Sequence, residues 1–331
     1  MELISTEESV VVFGGKGMVG SAILRLLSAR GYSRVFSPSR KDLNLLDNNA
    51  VKKWFQEFKP NVVILAAAKV GGILANNEYP ADFILENLKI QNNVIENSWR
   101  TNVQKFLFLG SSCIYPKYAT QPIKEEELLN GYLEPTNQWY AIAKIAGLKL
   151  CEALNRQYKF NSICLMPTNL YGPGDNYHTK NSHVLPALIK KFYKAKLNNE
   201  EEVICWGTGS PLREFLHVSD LAEACLFVLE NWDIKSDTAL IDDFGQKLSF
   251  LNVGTGKDIS IYDLAALISK KIGFKGKISW DNSIPDGTPK KQLDVRRINQ
   301  MGWRSRITLE KGLEETINSY IEENKRGIKE F

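Results

Sequence analysis

The chain reads as a doubly wound α/β protein, with a parallel sheet covered by helices on both faces and a smaller α/β cap. Two patterns point there: apolar runs alternate with helix-period stretches through the first two-thirds of the 331 residues, and a glycine-rich turn follows the first run. The expected strands lie at residues 9–13, 34–37, 61–65, 105–110 and 161–166. Between them, residues 21–30, 48–58, 83–100 and 139–157 place apolar side chains at i, i+3 and i+4 over lengths that suit crossover helices. Strands that are apolar on both faces need cover on both, and ligands then gather at the strands' carboxyl ends. After Thr168 the alternation loosens into a Gly-, Pro- and Asn-rich loop, a helix from His183, a strand near Val203 and helices at 221–230, 260–272 and 309–323.

Composition excludes several classes. Charged residues make 24% and apolar ones 44%, near globular averages, which argues against a disordered, collagen-like or coiled-coil chain. Lys plus Arg exceed Asp plus Glu by 42 to 38, a net +4 without a basic block, so neither nucleic acid nor a membrane surface is an expected partner. The longest apolar run near the front, residues 62–68, is far short of the roughly 20 residues that span a bilayer. Glu2, Glu7 and Glu8 open the chain without a basic, then apolar, leader, and a cytoplasmic protein is expected. Five cysteines, none within three residues of another, read as free thiols, and three histidines leave little for a metal site.

Chemistry begins at Gly14-Gly15-Lys16-Gly17-Met18-Val19-Gly20, set between the first strand and the first helix. Glycines let such a turn tighten and let backbone approach a pyrophosphate, whose charge sits on the free N–H groups of the helix start. This is a Rossmann-type dinucleotide site, and the expected division is an NADP-binding domain over 1–168 and a mainly substrate-binding part over 169–331. Chain near 213–255 is expected to return to the first domain. An NAD site usually carries an acid about 20 residues on, for the ribose 2′-hydroxyl. Here that stretch is Ser37-Pro38-Ser39-Arg40, and Arg40 with Lys16 would instead pair with a 2′-phosphate, giving NADP(H) as the cofactor.

Tyr140 and Lys144 share one face of the fourth helix, and no other tyrosine of the twelve has a basic residue at i+4. Ser111 and Ser112 end the fourth strand 29 and 28 residues earlier, at the same carboxyl edge. The ammonium is expected to favour phenolate and bring the tyrosine's pKa down into a range useful for proton transfer. Cys113, two residues past Ser111, stands near that edge as a candidate base. His178 and His183 both lie where an imidazole would reach over a bound sugar, whereas His217 precedes a helix and reads as a cap.

Taken together, these features make the chain resemble the extended short-chain dehydrogenase/reductase family over nearly its whole length. Within it, the GDP-L-fucose synthases are the most similar. The resemblance rests on the glycine turn, Ser111, Tyr140 and Lys144, with Ala66-Ala67-Ala68-Lys69-Val70-Gly71-Gly72, Leu109-Gly110-Ser111-Ser112-Cys113-Ile114-Tyr115-Pro116, Met166-Pro167-Thr168-Asn169-Leu170-Tyr171-Gly172-Pro173, Arg213-Glu214-Phe215-Leu216-His217-Val218 and Pro285-Asp286-Gly287-Thr288-Pro289. It implies conversion of GDP-4-keto-6-deoxy-D-mannose to GDP-L-fucose by inversion at C3 and C5 and reduction of C4 with NADPH. It also implies His183 as the acid opposite Cys113, and Lys144 as holder of the nicotinamide ribose. Ala67, Pro167, Thr168, Asn169, Leu170 and His183 are implied as cofactor contacts, and Lys191, Trp206, Arg213 and Asp286 as contacts of the GDP-linked keto-deoxyhexose. A homodimer through the helices from Phe83 and Trp139 follows from resemblance alone.

The reaction makes sense of the residues. C3 and C5 both flank the C4 carbonyl, so loss of either proton gives an enolate that Ser111 and Tyr140 would stabilise, and each inversion needs a base on one face and an acid on the other. Two rival readings are a redox-neutral NAD-dependent nucleotide-sugar epimerase or dehydratase and a noncatalytic NADP-binding module. The missing acid after the second strand speaks against the first, and the Ser111, Cys113, Tyr140, Lys144 and His183 set against the second.

Overall fold

The computed structural model describes residues 3–179, 181–236, 239–283 and 286–326. Its main sheet has six strands in the order β2-β1-β3-β4-β5-β9, all paired parallel. They are β1 (Val10–Phe13), β2 (Val35–Phe36), β3 (Val62–Leu65), β4 (Lys105–Leu109), β5 (Ser162–Pro167) and β9 (Phe250–Val253). Every residue of β1, β3, β4 and β5 is buried, as unbroken apolar strands require. From β1 the chain runs outward to β2, then crosses back to place β3 on β1's other side. That reversal opens a crevice at the carboxyl ends of β1 and β3.

The crossovers are α1 (Met18–Ala29), α2 (Asn48–Phe58), the short α3 (Ile73–Glu78) followed by α4 (Pro80–Arg100), and α5 (Gln138–Tyr158). Helix α1 starts three residues earlier than expected, inside the glycine motif, so Met18 to Gly20 contribute helix-start N–H groups. Helix α4 starts at Pro80 rather than Phe83, because proline suits a first turn that needs no N–H donor. Strand β2 is two residues long instead of four.

The second unit contains β6 (Asn169–Tyr171), α6 (Val184–Leu197), β7 (Glu202–Trp206), β8 (Leu212–His217), β10 (Asp258–Ser260), α8 (Ile261–Ile272), β11 (Lys277–Asp281), β12 (Lys290–Lys291) and α10 (Leu309–Lys325). It has its own apolar core, with Leu185, Ile189, Phe192, Leu264, Ile268 and Leu313 among its members. Helix α7 (Val218–Asn231), strand β9 and helix α9 (Arg296–Gln300) pack instead into the first core, which therefore takes chain from beyond residue 213.

One buried carboxylate ties the two units together. Glu214 of β8 accepts N–H bonds from Thr255 (2.5 Å), Gly256 (2.7 Å) and Leu293 (2.8 Å), joining the loop after β9 and the segment after β12 to β8. A buried carboxylate without such donors would be costly, so this arrangement fixes the three segments relative to one another.

Candidate active site

The glycine turn divides into packed and open positions. Gly14 lies at φ 92°, where a Cβ would stand 2.7 Å from the Ala67 nitrogen; at Gly15 it would stand 2.1 Å from Ser37 Oγ, and at Gly20 2.2 Å from the Gly14 oxygen. Only glycine lets these segments close on one another. At Gly17 the nearest atom is 3.4 Å away, and the residue caps α1 with no side chain over the helix's free N–H groups. An open helix start beside exposed Lys16 and Arg40 fits the diphosphate and 2′-phosphate of NADP(H). An acid does stand nearby, at Asp42, but a hydrogen bond with the Ser39 side chain, and after it the Ser39 N–H that its carboxylate accepts at 2.9 Å, hold its pKa below the usual range. Across the crevice, Pro167 ends β5, Leu170 packs on the core, and the Thr168 hydroxyl and Asn169 amide donate to the Glu214 carbonyl at 3.2 and 2.8 Å.

Beyond β4, the Ser111 hydroxyl accepts the Cys113 N–H at 3.2 Å and caps a short turn over residues 112–114. Tyr140 and Lys144 lie one turn apart near the start of α5. The Lys144 ammonium is buried; it donates to the Leu109 carbonyl at 2.8 Å and sits 5.8 Å from the centroid of the Tyr140 ring. Burial pushes its pKa down to about 8. The expectation that this ammonium would draw the phenol's pKa down is not met, because the ammonium lies over the ring and its hydrogen bond goes to backbone. Burial instead pushes the Tyr140 pKa up, the nearby Cys113 adds to the rise, and a hydrogen bond with Ser111 opposes it.

Two donors converge on the Cys113 sulfur: the Asn137 amide at 3.5 Å and the Lys291 ammonium at 3.4 Å. Behind it lies a cavity of about 20 Å³, lined among others by Asn137, Glu134, Lys117 and Lys291, enough for one water. His183 caps α6, and close backbone contact fixes its loop: Gly72 donates to the Asn181 carbonyl at 2.9 Å, and a Cβ on Gly72 would meet the Ser182 oxygen at 2.4 Å. His183 is an exposed residue, yet protein atoms crowd around its imidazole. That crowding and the charge of Lys291 push its pKa down. His217 is buried at the start of α7, where its Nδ1 accepts the Ser219 N–H at 3.4 Å, the capping role read from sequence.

Among the sugar-nucleotide candidates, Arg213 is half-buried on β8, faces Asp286 and Cys113, and has its pKa lowered by burial. Asp286 is exposed and accepts the Thr208 N–H at 3.1 Å and hydroxyl at 2.7 Å, so it shapes the loop after β7. Lys191 donates to the Ile204 carbonyl and lies 5.8 Å from the ring centroid of Trp206, whose indole is more than half exposed. Pro285 is outside the described residues.

The model of the NAD dependent epimerase/dehydratase family matches residues 10–239. The chain is 51% identical to a GDP-L-fucose synthase of Escherichia coli (strain K12), over 97% of this chain and 99% of that one. A solved GDP-6-OMe-4-keto-L-xylo-heptose reductase from C. jejuni superposes with a TM-score of 0.91 at 37% identity, covering 97% of this chain and 99% of its own. A GDP-L-fucose synthetase from Naegleria fowleri, bound to NADP, superposes at 0.85 with 26% identity, covering 97% and 96%. The chain belongs to the GDP-L-fucose synthase family.

For a GDP-L-fucose synthase family member, the sequence reading leaves two residues unnoticed at the thiol. Asn137 had a usable signal, since it stands three residues before Tyr140 at the mouth of α5. Lys291 had none. It lies 178 residues from Cys113 and reaches it through the pairing of β12 with β8, which sets Lys291 opposite Arg213.

Proposed function

We propose that the chain converts GDP-4-keto-6-deoxy-D-mannose to GDP-L-fucose by 3,5-epimerisation and NADPH-dependent 4-reduction. The observation that carries this is the Cys113 sulfur, with two N–H donors on it, at the same strand end as Ser111 and Tyr140. A reductase needs only the Ser, Tyr and Lys; a thiol as base and an imidazole as acid for the other face are what inversion adds.

In this reading Arg213, Lys191 and Trp206 take the nucleotide diphosphate and base, and Ser111 and Tyr140 hold the C4 oxygen. Cys113 removes the proton at C3 or C5 while the C4 oxygen takes up the electron pair, and His183 returns a proton to the opposite face. Once the thiol has passed its proton to water and the imidazole has taken one up, the same exchange at the other carbon completes the epimerisation. The glycine turn would hold NADPH, which when bound would supply the hydride for C4, and Lys144 would take its ribose hydroxyls. Because burial keeps the Tyr140 phenol protonated at neutral pH, it starts in the form needed to protonate the C4 oxygen.

The proposal extends to a two-unit organisation with the cleft between the units, and to a homodimer formed through α4 and α5. Exposed Ile73, Leu74, Leu85, Trp139 and Ile142 on α3, α4 and α5 support the latter. No described helix is long and apolar enough to cross a membrane, and all five cysteines are free thiols, which suits a reducing, cytoplasmic compartment.

The test is to offer GDP-4-keto-6-deoxymannose with NADPH beside its UDP- and dTDP-linked analogues and to identify the sugar formed. GDP-L-fucose from the GDP substrate is the expected product. A 4-reduced sugar with C3 and C5 uninverted would leave a plain ketone reductase.

A further inference from the structure

Lys290 and Lys291 are adjacent on β12 and point to opposite sides. Lys290 pairs with Asp258 at 3.2 Å, while Lys291 turns inward to the Cys113 sulfur at 3.4 Å. Its backbone is held on both flanks: residue 291 pairs with Arg213, Gln292 donates to Gln121 at 3.0 Å, and Leu293 donates to the buried Glu214. The inward ammonium is therefore presented from a fixed strand.

The other charged groups around the sulfur are engaged elsewhere. Lys117 pairs with Glu134 at 2.9 Å, Tyr140 is neutral at working pH, and Arg213, which also faces the sulfur, donates to the Leu212 carbonyl at 2.8 Å and has Asp286 before it as a counter-charge. Asn137 contributes an uncharged amide. Lys291 makes no carboxylate ion pair among the described residues, and its charge also acts on His183. One cation thus faces both members of the candidate proton-transfer pair.

We propose that Lys291 is a positioning residue that sets both partners of the inversion at once, holding the Cys113 sulfur in its proton-accepting form and making the His183 imidazole readier to release its proton. This rests on the epimerase reading above. In each inversion the sulfur takes the C3 or C5 proton, the C–H electron pair moves to the C4 oxygen, and the imidazolium gives its proton to the other face as that pair returns. Lys291 neither gains nor loses a proton. A nearby positive charge favours an anionic sulfur and disfavours a cationic imidazolium, so its removal weakens the base and makes the acid hold its proton more tightly.

Two measurements test this in the full-length protein. The first is alkylation of Cys113 by iodoacetamide without substrate, read by peptide mass; the four other cysteines are buried. Lys291→Met should slow it about tenfold at pH 7, and Lys291→Arg should restore most of the rate. The second is the pH profile of deuterium exchange at C3 and C5, whose two limbs should both move to higher pH in Lys291→Met and in Lys291→Gln. Alkylation unchanged in both neutral variants, or loss of exchange without movement of the profile, overturns the proposal. If the unmodified protein failed to exchange while alkylation still answered to Lys291, the link between the residues would stand and the epimerase reading would fall.

Discussion

Lys144 shows what a functional site costs its host. Its ammonium is buried with one carbonyl partner, and its pKa falls from 10.5 to about 8. Below pH 8 both folded and unfolded chains carry the proton, so the full penalty, about 3 kcal/mol, is present; it fades between pH 8 and 10.5, where the unfolded chain binds more protons. Lys144→Met should therefore abolish turnover yet raise the melting midpoint of the cofactor-free protein by a few degrees at pH 7, even after about 1 kcal/mol for the lost hydrogen bond. The gain should shrink as the pH rises through 8 to 10. A midpoint unchanged or lowered at pH 7 would show that this ammonium is not under strain. The residue scale is also where sequence reading fell short. Tyr140 and Lys144 were legible as a helical pair, but spacing on a helix cannot tell whether an ammonium reaches a phenol's oxygen or lies over its ring, nor that burial will outweigh it and raise the phenol's pKa.

Turns and helix starts carry the cofactor argument. The glycine motif was readable because its chemistry is local: each glycine answers to a neighbour a few residues away or to the adjoining strand. It yields a paired prediction. Gly20→Ala forces a Cβ against the Gly14 carbonyl and should lower thermal stability measurably, whereas Gly17→Ala meets no close atom and should melt like the parent. Both should bind NADPH at least tenfold more weakly by fluorescence titration, Gly17→Ala through loss of close backbone approach alone. In the loop after β2, Arg40→Asp should weaken NADPH far more than NADH; equal losses would remove the 2′-phosphate argument. Element boundaries were less legible. Helix α4 begins at a proline the periodicity passed over, and β2 is cut to two residues because only Val35 and Phe36 pair with β1.

Across the whole molecule, the hardest features to foresee were those made by distant chain. The alternation of strands and helices announced the main sheet, but nothing local announces that β9 would close its edge, or that Glu214 would gather the 255–256 and 293 segments. Lys291 arrives at the thiol only through that assembly. On the outer face, Leu85→Glu with Ile142→Glu should convert a dimer to a monomer by light scattering; an unchanged mass would place any interface elsewhere. The account stands on the thiol and imidazole working together across one keto-sugar ring. Mass analysis of GDP-4-keto-6-deoxymannose incubated in heavy water without NADPH tests that most directly. The account predicts solvent deuterium at both C3 and C5 with the parent protein and loss of at least about a hundredfold in rate with Cys113→Ser; exchange undiminished in that variant would contradict it.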